Sequence, residues 1–145
     1  MTPSYFYSKR HYPDGLPIER AEDLKNYRIN GIHGYNYVDY GLTEDDLEGR
    51  VDGHEILICK LHRGRIDLFI EWSEVFGGFR EIDKPFIDDP DLGYPVIPGL
   101  EKTTMHLMFS RSELGWRLKQ AFDRRLEEME SSGRLEELIG EYAKP

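Results

Sequence analysis

The chain has 145 residues, of which 39% are hydrophobic and 32% charged, so it is not intrinsically disordered and we expect one folded domain. Its 19 Lys and Arg against 28 Asp and Glu give a net charge of −9, which argues against binding to a nucleic-acid backbone. The single cysteine, Cys59, excludes an intrachain disulfide, and no apolar run reaches the ~18 residues that a membrane helix needs.

The first part of the chain alternates between strand patterns and turns. Residues 5–8 alternate in the manner of a strand, and the Pro- and Gly-rich residues 13–17 predict a turn. Residues 28–32 predict a second strand, which runs into a turn at Gly34. We expect a helix to start across residues 35–40.

A helix and a buried strand are predicted next. Asp52 and Glu55 have the D-x-x-E spacing of a capping box, and Gly64 is expected to end the helix that they begin. Cys59 falls in the apolar run of this helix, where it would act as a small hydrophobic group. The nearly continuous apolar character of residues 65–72 predicts a central strand that is covered on both faces.

The last part of the chain predicts an edge segment, a strand and two amphipathic helices. Residues 94–98 contain two prolines, which favour a sheet edge, and residues 103–109 predict a strand. Ser112 is expected to cap a long helix that breaks near Gly133, with a second helix after it. The apolar stripes of the two helices, which we expect to face a core, contain Leu118, Ala121, Phe122, Leu126 and Met129, then Leu135, Leu138, Ile139 and Tyr142.

Alternating strands and helices predict an α/β domain with a mostly parallel sheet. In such sheets, ligands bind beyond the carboxyl ends of the strands. The ends of the strands at residues 28–32 and 65–72 are therefore the candidate binding edge.

The turn after the first of these strands carries Gly34, Tyr35, Asn36 and Tyr37. One interpretation is a seat for an anion, because glycine permits a close turn and the free N–H groups of a helix start attract a carboxylate or phosphate. The other is an ordinary strand-to-helix connection, which also needs a glycine. The segment matches neither the dinucleotide-binding pattern nor the P-loop, so nucleotide binding is not indicated.

Glu71 and Trp72 end the second strand. A carboxylate there can pair with a cationic ligand, and a Trp ring can close over it. Strand alternation points the two side chains to opposite faces, so one would face a cleft while the other packs. Asp67, near the strand start, is expected to cap or to pair with Arg65.

The sequence offers no catalytic or metal-binding motif. Its five histidines, at positions 11, 33, 54, 62 and 106, lack metal-ligand spacing and are expected to be surface or satisfied core residues. His33 is the exception and is a candidate functional residue, since it adjoins the Gly34 turn. No G-x-S-x-G elbow is present, so we predict no catalytic residue, no metal and no cofactor.

Several motifs together resemble a known family. The segments AEDLKNYRI at 21–29, GYNY at 34–37 and LHRGRID at 61–67 resemble, in order and spacing, the extracytoplasmic solute-binding proteins of amino-acid ABC transporters, the periplasmic binding protein-like II fold, family 3. TPSYF at 2–6 is similar to the first hinge crossing of that family, and LMFSR at 107–111 to its returning hinge strand. The helices after residue 112 are similar to its closing helices.

The resemblance implies one lobe of a two-lobed protein. Residues 1–10 would be a hinge-like strand leading into the lobe, residues 11–110 the second α/β lobe, and residues 111–145 a C-terminal helical segment. In the family this segment packs on the first lobe, which would precede residue 2. Without that lobe, the apolar stripes would cover the second lobe differently, pair with another copy to form a homodimer, or stay exposed.

The resemblance also implies where a solute binds. The expected ligand-binding residues are Gly34, Tyr35, Asn36, Tyr37, Glu71 and Trp72. Where Tyr35 stands, the family usually has Ser or Thr, and where Trp72 stands, its amino-acid binders often have an Asp that takes the ligand ammonium. This departure argues against standard recognition of an α-amino acid.

The function implied is a non-enzymatic solute-binding module for an amino acid or a related small polar solute. Its full-length parent would lie in the periplasm and deliver the solute to a membrane permease, without nucleic acid as a partner. Two alternatives are an enzyme on the same fold, dehydratase-like or peptidoglycan-lyase-like with Glu71 or His33 as acid or base, and a sensory input lobe.

Overall fold

A computed structural model describes residues 1–102 and 104–140, and the chain divides into two units at residue 103. The first unit holds all the strands of the described residues and two α-helices, and the second holds the C-terminal helices. Residues 104–110 belong to the second unit, whereas the sequence analysis placed them in the lobe. No helix within the described residues is long and apolar enough to cross a bilayer.

The first unit is built from five short strands. They are β1 (Pro3–Ser8), β2 (Asn30–Ile32), β3 (Gly49–Val51), β4 (Leu68–Trp72) and β5 (Leu92–Gly93). Strands β4, β1 and β5 form an antiparallel sheet in that order, and β2 pairs with β3 in parallel. A parallel bridge between Ile29 and Leu68 joins the two sheets. The predicted parallel arrangement is thus present in part, because β1 and β5 run antiparallel to their neighbours.

Both faces of β4 are buried, as its apolar run predicted. Leu68 and Ile70 belong to one core cluster, and Phe69 belongs to another with Phe6 and Phe76. The rings of Phe6 and Phe69 stack at 5.0 Å. The unit therefore has two hydrophobic layers with the strands between them.

Two helices belong to the first unit, α1 (His54–His62) and α2 (Ser73–Gly78). The predicted capping box of Asp52 and Glu55 is wrong: Gly53 is the N-cap, and the Asp52 side chain is 91% exposed. Cys59 is exposed, so it does not act as a core hydrophobic group. The left-handed φ of +63° at Gly64 follows the helix, as predicted.

Short 3₁₀ turns connect these elements, at Ala21–Asn26, Val38–Tyr40, Glu44–Asp46, Phe79–Ile82 and Phe86–Asp88. The helix predicted across residues 35–40 is only the single turn Val38–Tyr40. It ends at Gly41, whose φ is +72°, because a left-handed residue cannot continue the turn.

The second unit contains α3 (Glu113–Ser131) and α4 (Arg134–Gly140). Ser112 caps α3 as predicted, accepting a hydrogen bond from Gly115 N at 3.0 Å. The strand predicted over residues 103–109 is wrong, because residues 104–110 have no regular structure and make no strand pairing. Thr103, like Tyr142 of the second predicted stripe, lies outside the described residues.

The described residues of the second unit do not cover the apolar stripes of these helices. Leu118 is 50% exposed, and Phe122, Leu138 and Ile139 are exposed as well. Within the second unit, the stripes therefore do not face a core, contrary to the expectation. Helices that expose this many apolar side chains normally pack against a further protein surface.

Candidate functional site

Two parallel strand ends lie side by side, as the sequence predicted. The Ile29–Leu68 bridge sets the register of β2 against β4, so the end of β2 and the end of β4 reach the same edge of the first unit. The side chain of His54, at the start of α1, connects the two. Its ring meets the Tyr35 ring edge-on at 6.2 Å, and its Nε2 lies 2.9 Å from Glu71 Oε2.

The turn after β2 is held by an arginine that sequence analysis missed. Gly34 has a φ of +82°, which favours glycine, and Tyr35 N donates to Ile32 O at 3.2 Å. Arg50 Nη1, from β3, donates to Ile32 O at 2.7 Å and to Tyr35 O at 3.0 Å. The turn is therefore rigid, and two of its carbonyls already have a cationic donor.

Tyr37 supports this turn from inside. Its ring covers Gly31, where an added Cβ would lie 2.7 Å from Tyr37 Cε2, and its hydroxyl accepts a hydrogen bond from Ile32 N at 2.8 Å. Burial raises the pKa of the Tyr37 phenol. Of the predicted ligand-binding residues in this turn, Tyr37 is therefore buried and supports the backbone. Tyr35 is 41% exposed, and Asn36 is exposed as well.

Asn36 shapes the same turn. Its Oδ1 accepts a hydrogen bond from Val38 N at 3.0 Å, an Asx-type contact that competes with helix formation. Where a helix was predicted, only the 3₁₀ turn Val38–Tyr40 follows this contact.

Glu71 is buried, with 2% of its surface exposed. One carboxylate oxygen of Glu71 contacts His54. The other, Oε1, accepts a hydrogen bond from the backbone N–H of Trp72 at 2.9 Å. Burial first, and then the negative charge of Glu71, raises the pKa of the Tyr40 phenol. Of the two residues at the strand end, Glu71 is therefore the one that packs inward, and it keeps the local potential negative.

Trp72 is half-buried and lines a pocket of about 90 Å³ on the first unit. Its ring lies 6.4 Å from that of Tyr40. The indole Nε1 is buried with no hydrogen-bond partner among the described residues, which normally costs roughly 1–3 kcal/mol. The complete lining is Pro3, Asp39, Tyr40, Trp72, Leu100 and Glu101.

Asp67 lies at the other end of β4 and has a structural role. It accepts hydrogen bonds from Arg28 Nη2 and from the Tyr12 hydroxyl, both at 2.6 Å, and it does not pair with Arg65. Burial raises its pKa, but the bonds from Arg28 and Tyr12 outweigh that effect and lower the pKa to about 2.

A serine–histidine–aspartate chain also lies near the start of β4. His62 Nδ1 is 2.8 Å from Ser8 Oγ, and His62 Nε2 is 2.8 Å from Asp89 Oδ2. The residue types are those of a hydrolase triad, but the two ring nitrogens are exchanged, since Nε2 faces the serine in a triad, and Ser8 is only 1% exposed. A substrate carbonyl cannot reach the Ser8 hydroxyl here, so the three side chains tie β1 to α1 and the Asp89 loop.

In the described part of the chain, no group of three or more His, Cys, Asp or Glu side chains is placed to hold a metal ion. His33 is exposed, and its Nε2 lies 4.0 Å from Asp52 Oδ1. It stands beside the Gly34 turn, but no described contact connects it to Glu71.

Comparison of the sequence with protein-family models and with curated proteins gives no match. Comparison with solved structures gives matches over nearly the whole chain. An ancestral arginine-binding protein bound to arginine has a TM-score of 0.66 at 14% identity, over 99% of this chain and 60% of the other. EhuB in complex with hydroxyectoine has a TM-score of 0.65 at 17% identity, over 99% and 55%.

A third match is an amino acid ABC transporter substrate-binding protein, AbpA, from Streptococcus pneumoniae, bound to L-arginine. Its TM-score is 0.59 at 20% identity, over 99% of this chain and 59% of the other. The chain thus spans less than two thirds of the proteins that it matches. On its three-dimensional structure, the chain has the type II periplasmic-binding-protein fold found in amino-acid ABC transporter substrate-binding proteins, over one part of their length.

Proposed function

We propose that the chain is a non-enzymatic solute-binding module that contributes one wall of a binding cleft for a small polar solute, such as an amino acid or a related compound. The observation that carries this proposal is the parallel alignment of β2 and β4, which brings the Gly34 turn and Trp72 to one edge. Proteins with this fold are named as bound to arginine or hydroxyectoine, which supports a solute of that size.

Within that wall, we assign contact with the solute to the exposed Tyr35 and Asn36, to the backbone at the exposed Gly34, and to the half-buried Trp72, which lines a pocket. Tyr37 and Glu71 are buried, and they position the turn and the imidazole of His54. The loss of the family's Asp at position 72 leaves an aromatic ring where a charge would stand.

A longer parent protein would complete the cleft. The matched proteins are longer than this chain, which covers 55–61% of each of them. We propose that a second lobe closes over the solute, and that the closed protein is extracytoplasmic and is recognised by an ABC transporter permease. We do not favour the enzymatic alternative, because the Glu71 carboxylate is buried against His54 and no described contact joins His33 to Glu71.

The helical unit is proposed to pair with a second copy of the chain. In the helical unit, residues 117–125 of α3 carry four basic and one acidic side chain, whereas residues 126–137, from the end of α3 into α4, carry five acidic and one basic. An antiparallel two-fold pairing would oppose these segments while covering the exposed stripe of Leu118 and Phe122. Sedimentation at about 10–100 µM tests this: we expect a dimer that Leu118→Glu dissociates, and a monomer throughout would contradict it.

Solute binding is tested by titrating the ¹⁵N-labelled chain with a panel of amino acids and hydroxyectoine up to tens of millimolar. One wall makes only part of the contacts, so we expect weak affinity, with shifts confined to the amides of residues 33–36 and to the end of β4. Tyr35→Ala is expected to weaken binding, and Tyr94→Ala, outside the proposed site, serves as its control. Shifts for no compound, or shifts scattered over the surface, would contradict the proposal.

A further inference from the structure

A second pocket of the first unit lies at the amino end of β4, opposite to the end that carries Trp72. Its volume is about 310 Å³. The complete lining is His11, Tyr12, Arg28, Arg63, Gly64 and Asp67. Two guanidinium groups and an imidazole thus share this lining with a single carboxylate, although the chain as a whole has a net charge of −9. The pocket is therefore a local concentration of positive charge, which attracts anions.

The Asp67 carboxylate fixes one of the two arginines and leaves part of it available. Asp67 accepts hydrogen bonds from Arg28 Nε at 3.0 Å and from Arg28 Nη2 at 2.6 Å. Arg28 Nη1, at the other edge of the guanidinium, makes no hydrogen bond to another described residue. The charge of Glu48 also acts on Arg28, but Glu48 does not line the pocket. Arg28 is thus a positioned cation with free N–H donors.

The second arginine is not used for folding. Arg63 follows α1 and is exposed, and its side chain makes no hydrogen bond or ion pair with another described residue. Among the described residues of the first unit, only Arg63 and Arg65 are arginines without an acidic partner, and Arg65 does not line the pocket. The paired arginines are Arg10, Arg20, Arg28, Arg50 and Arg80. The Arg63 charge is therefore available to a ligand.

The ring of His11 is held over Gly64. A Cβ added at Gly64, whose φ is +63°, would lie 3.2 Å from His11 Nε2 and Cε1. His11 Nε2 donates a hydrogen bond to His62 O at 3.0 Å. Because a carbonyl only accepts, the neutral ring has its lone pair on Nδ1, which makes no hydrogen bond to another described residue. His11 thus keeps one ring nitrogen that can accept the O–H of a protonated oxyanion.

We propose that this pocket binds a phosphate group, as inorganic phosphate or as the phosphoryl group of a small ester, between Arg28, Arg63 and His11. Guanidinium forks match the spacing of phosphate oxygens, and two fixed cations favour a divalent anion over a monovalent carboxylate. The volume is roughly that of ten water molecules, so a phosphate group fits with part of its hydration shell. The site lies away from the solute-binding edge, and the inference does not depend on the proposed function.

The test titrates the ¹⁵N-labelled full chain at pH 7.5 with sodium phosphate, glycerol 3-phosphate or sodium acetate. Sodium chloride keeps the ionic strength constant, because salt screens interactions between exposed charges. We expect saturable shifts for the amides of His11, Tyr12 and residues 63–67 with both phosphates. Acetate, with one charge, should bind about tenfold more weakly than phosphate.

Substitutions of Arg63 connect the binding to the pocket. Arg63→Gln should raise the Kd for phosphate about tenfold, because it removes a charge-assisted donor. Arg63→Lys keeps the charge but lacks the fork, so its loss should be smaller. The matched control is Arg124→Gln in α3, which removes the same charge from an exposed arginine without a described partner in the second unit. The control should change the Kd less than twofold.

The two phosphates distinguish the sources of the ligand. Equal Kd values assign the phosphoryl group of an ester, whereas a Kd at least tenfold lower for inorganic phosphate assigns the free ion, and either result supports the site.

Three results would overturn the inference. The first is a set of shifts that sodium chloride alone reproduces. The second is an unchanged Kd for Arg63→Gln, or an equal loss for Arg124→Gln. The third is a phosphate response at residues 33–36, which would place the anion at the Gly34 turn instead. None of these results bears on the amino-acid titration, so either proposal can fail while the other stands.

Discussion

Replacing Asp67 by Asn removes a buried charge and keeps the shape of the side chain. The carboxylate accepts bonds from Arg28 N at 2.9 Å, Arg28 Nε at 3.0 Å, Arg28 Nη2 at 2.6 Å and the Tyr12 hydroxyl at 2.6 Å. Its pKa falls from 3.8 to about 2, since these bonds outweigh burial. At roughly 1.4 kcal/mol per pH unit, the ionised carboxylate contributes about 2 kcal/mol to stability.

The sign of the pH dependence follows from the direction of the pKa shift. Because the folded pKa lies below the unfolded value, this contribution is complete above about pH 5 and is lost as the pH falls through about 2. Asp67→Asn should therefore lower the free energy of unfolding by about 2 kcal/mol at pH 7, and by about a third of that at pH 2.5.

The assay is urea unfolding of the parent and variant, followed by circular dichroism at both pH values. Asp14→Asn serves as the control: Asp14 is exposed and has no hydrogen bond or ion pair with another described residue, so its change should alter stability by less than about 0.5 kcal/mol. If Asp67→Asn costs less than about 0.5 kcal/mol at pH 7, or costs the same at pH 2.5, the assigned role of the Arg28–Asp67 pair is refuted.

Two further predictions concern packing, and thermal unfolding measures both. Gly93→Ala should destabilise the chain by at least ~2 kcal/mol, because the added Cβ would lie 2.3 Å from the Tyr7 ring. Gly78→Ala, in a helix with open space around the site, should be neutral or stabilise by ~0.5–1 kcal/mol, and the reverse order would contradict the packing argument. Tyr37→Phe should cost ~1 kcal/mol by removing the acceptor of Ile32 N–H, and unchanged stability would mean that this bond contributes nothing.

Local patterns were sufficient to predict the elements that depend on near neighbours. The apolar run before Trp72 is a buried strand, Ser112 caps α3, and Gly64 ends α1. Each of these outcomes depends on hydrophobic periodicity or on one side chain beside one backbone group, which the sequence displays directly.

Predictions failed where two local solutions compete. Asp52 has the spacing of a capping box, but Gly53 is the N-cap and Asp52 faces solvent. Residues 35–40 read as a helix start, yet only the 3₁₀ turn Val38–Tyr40 forms there, and it ends at Gly41, whose φ is left-handed. A strand was expected over residues 103–109, but a strand needs a neighbouring strand, and residues 104–110 have none.

The candidate site also combines features that local sequence patterns predict with features that depend on long-range contacts. The sequence by itself determined that two strand ends carry Gly34, Tyr35 and Trp72, because turn chemistry and apolar runs are local properties. Only the tertiary structure decided that Glu71 turns inward to His54 and that Arg50 clamps the turn from another strand. Those pairings join residues 17 and 15–18 positions apart, and long-range contacts of this kind depend on how strands align, which no local pattern specifies.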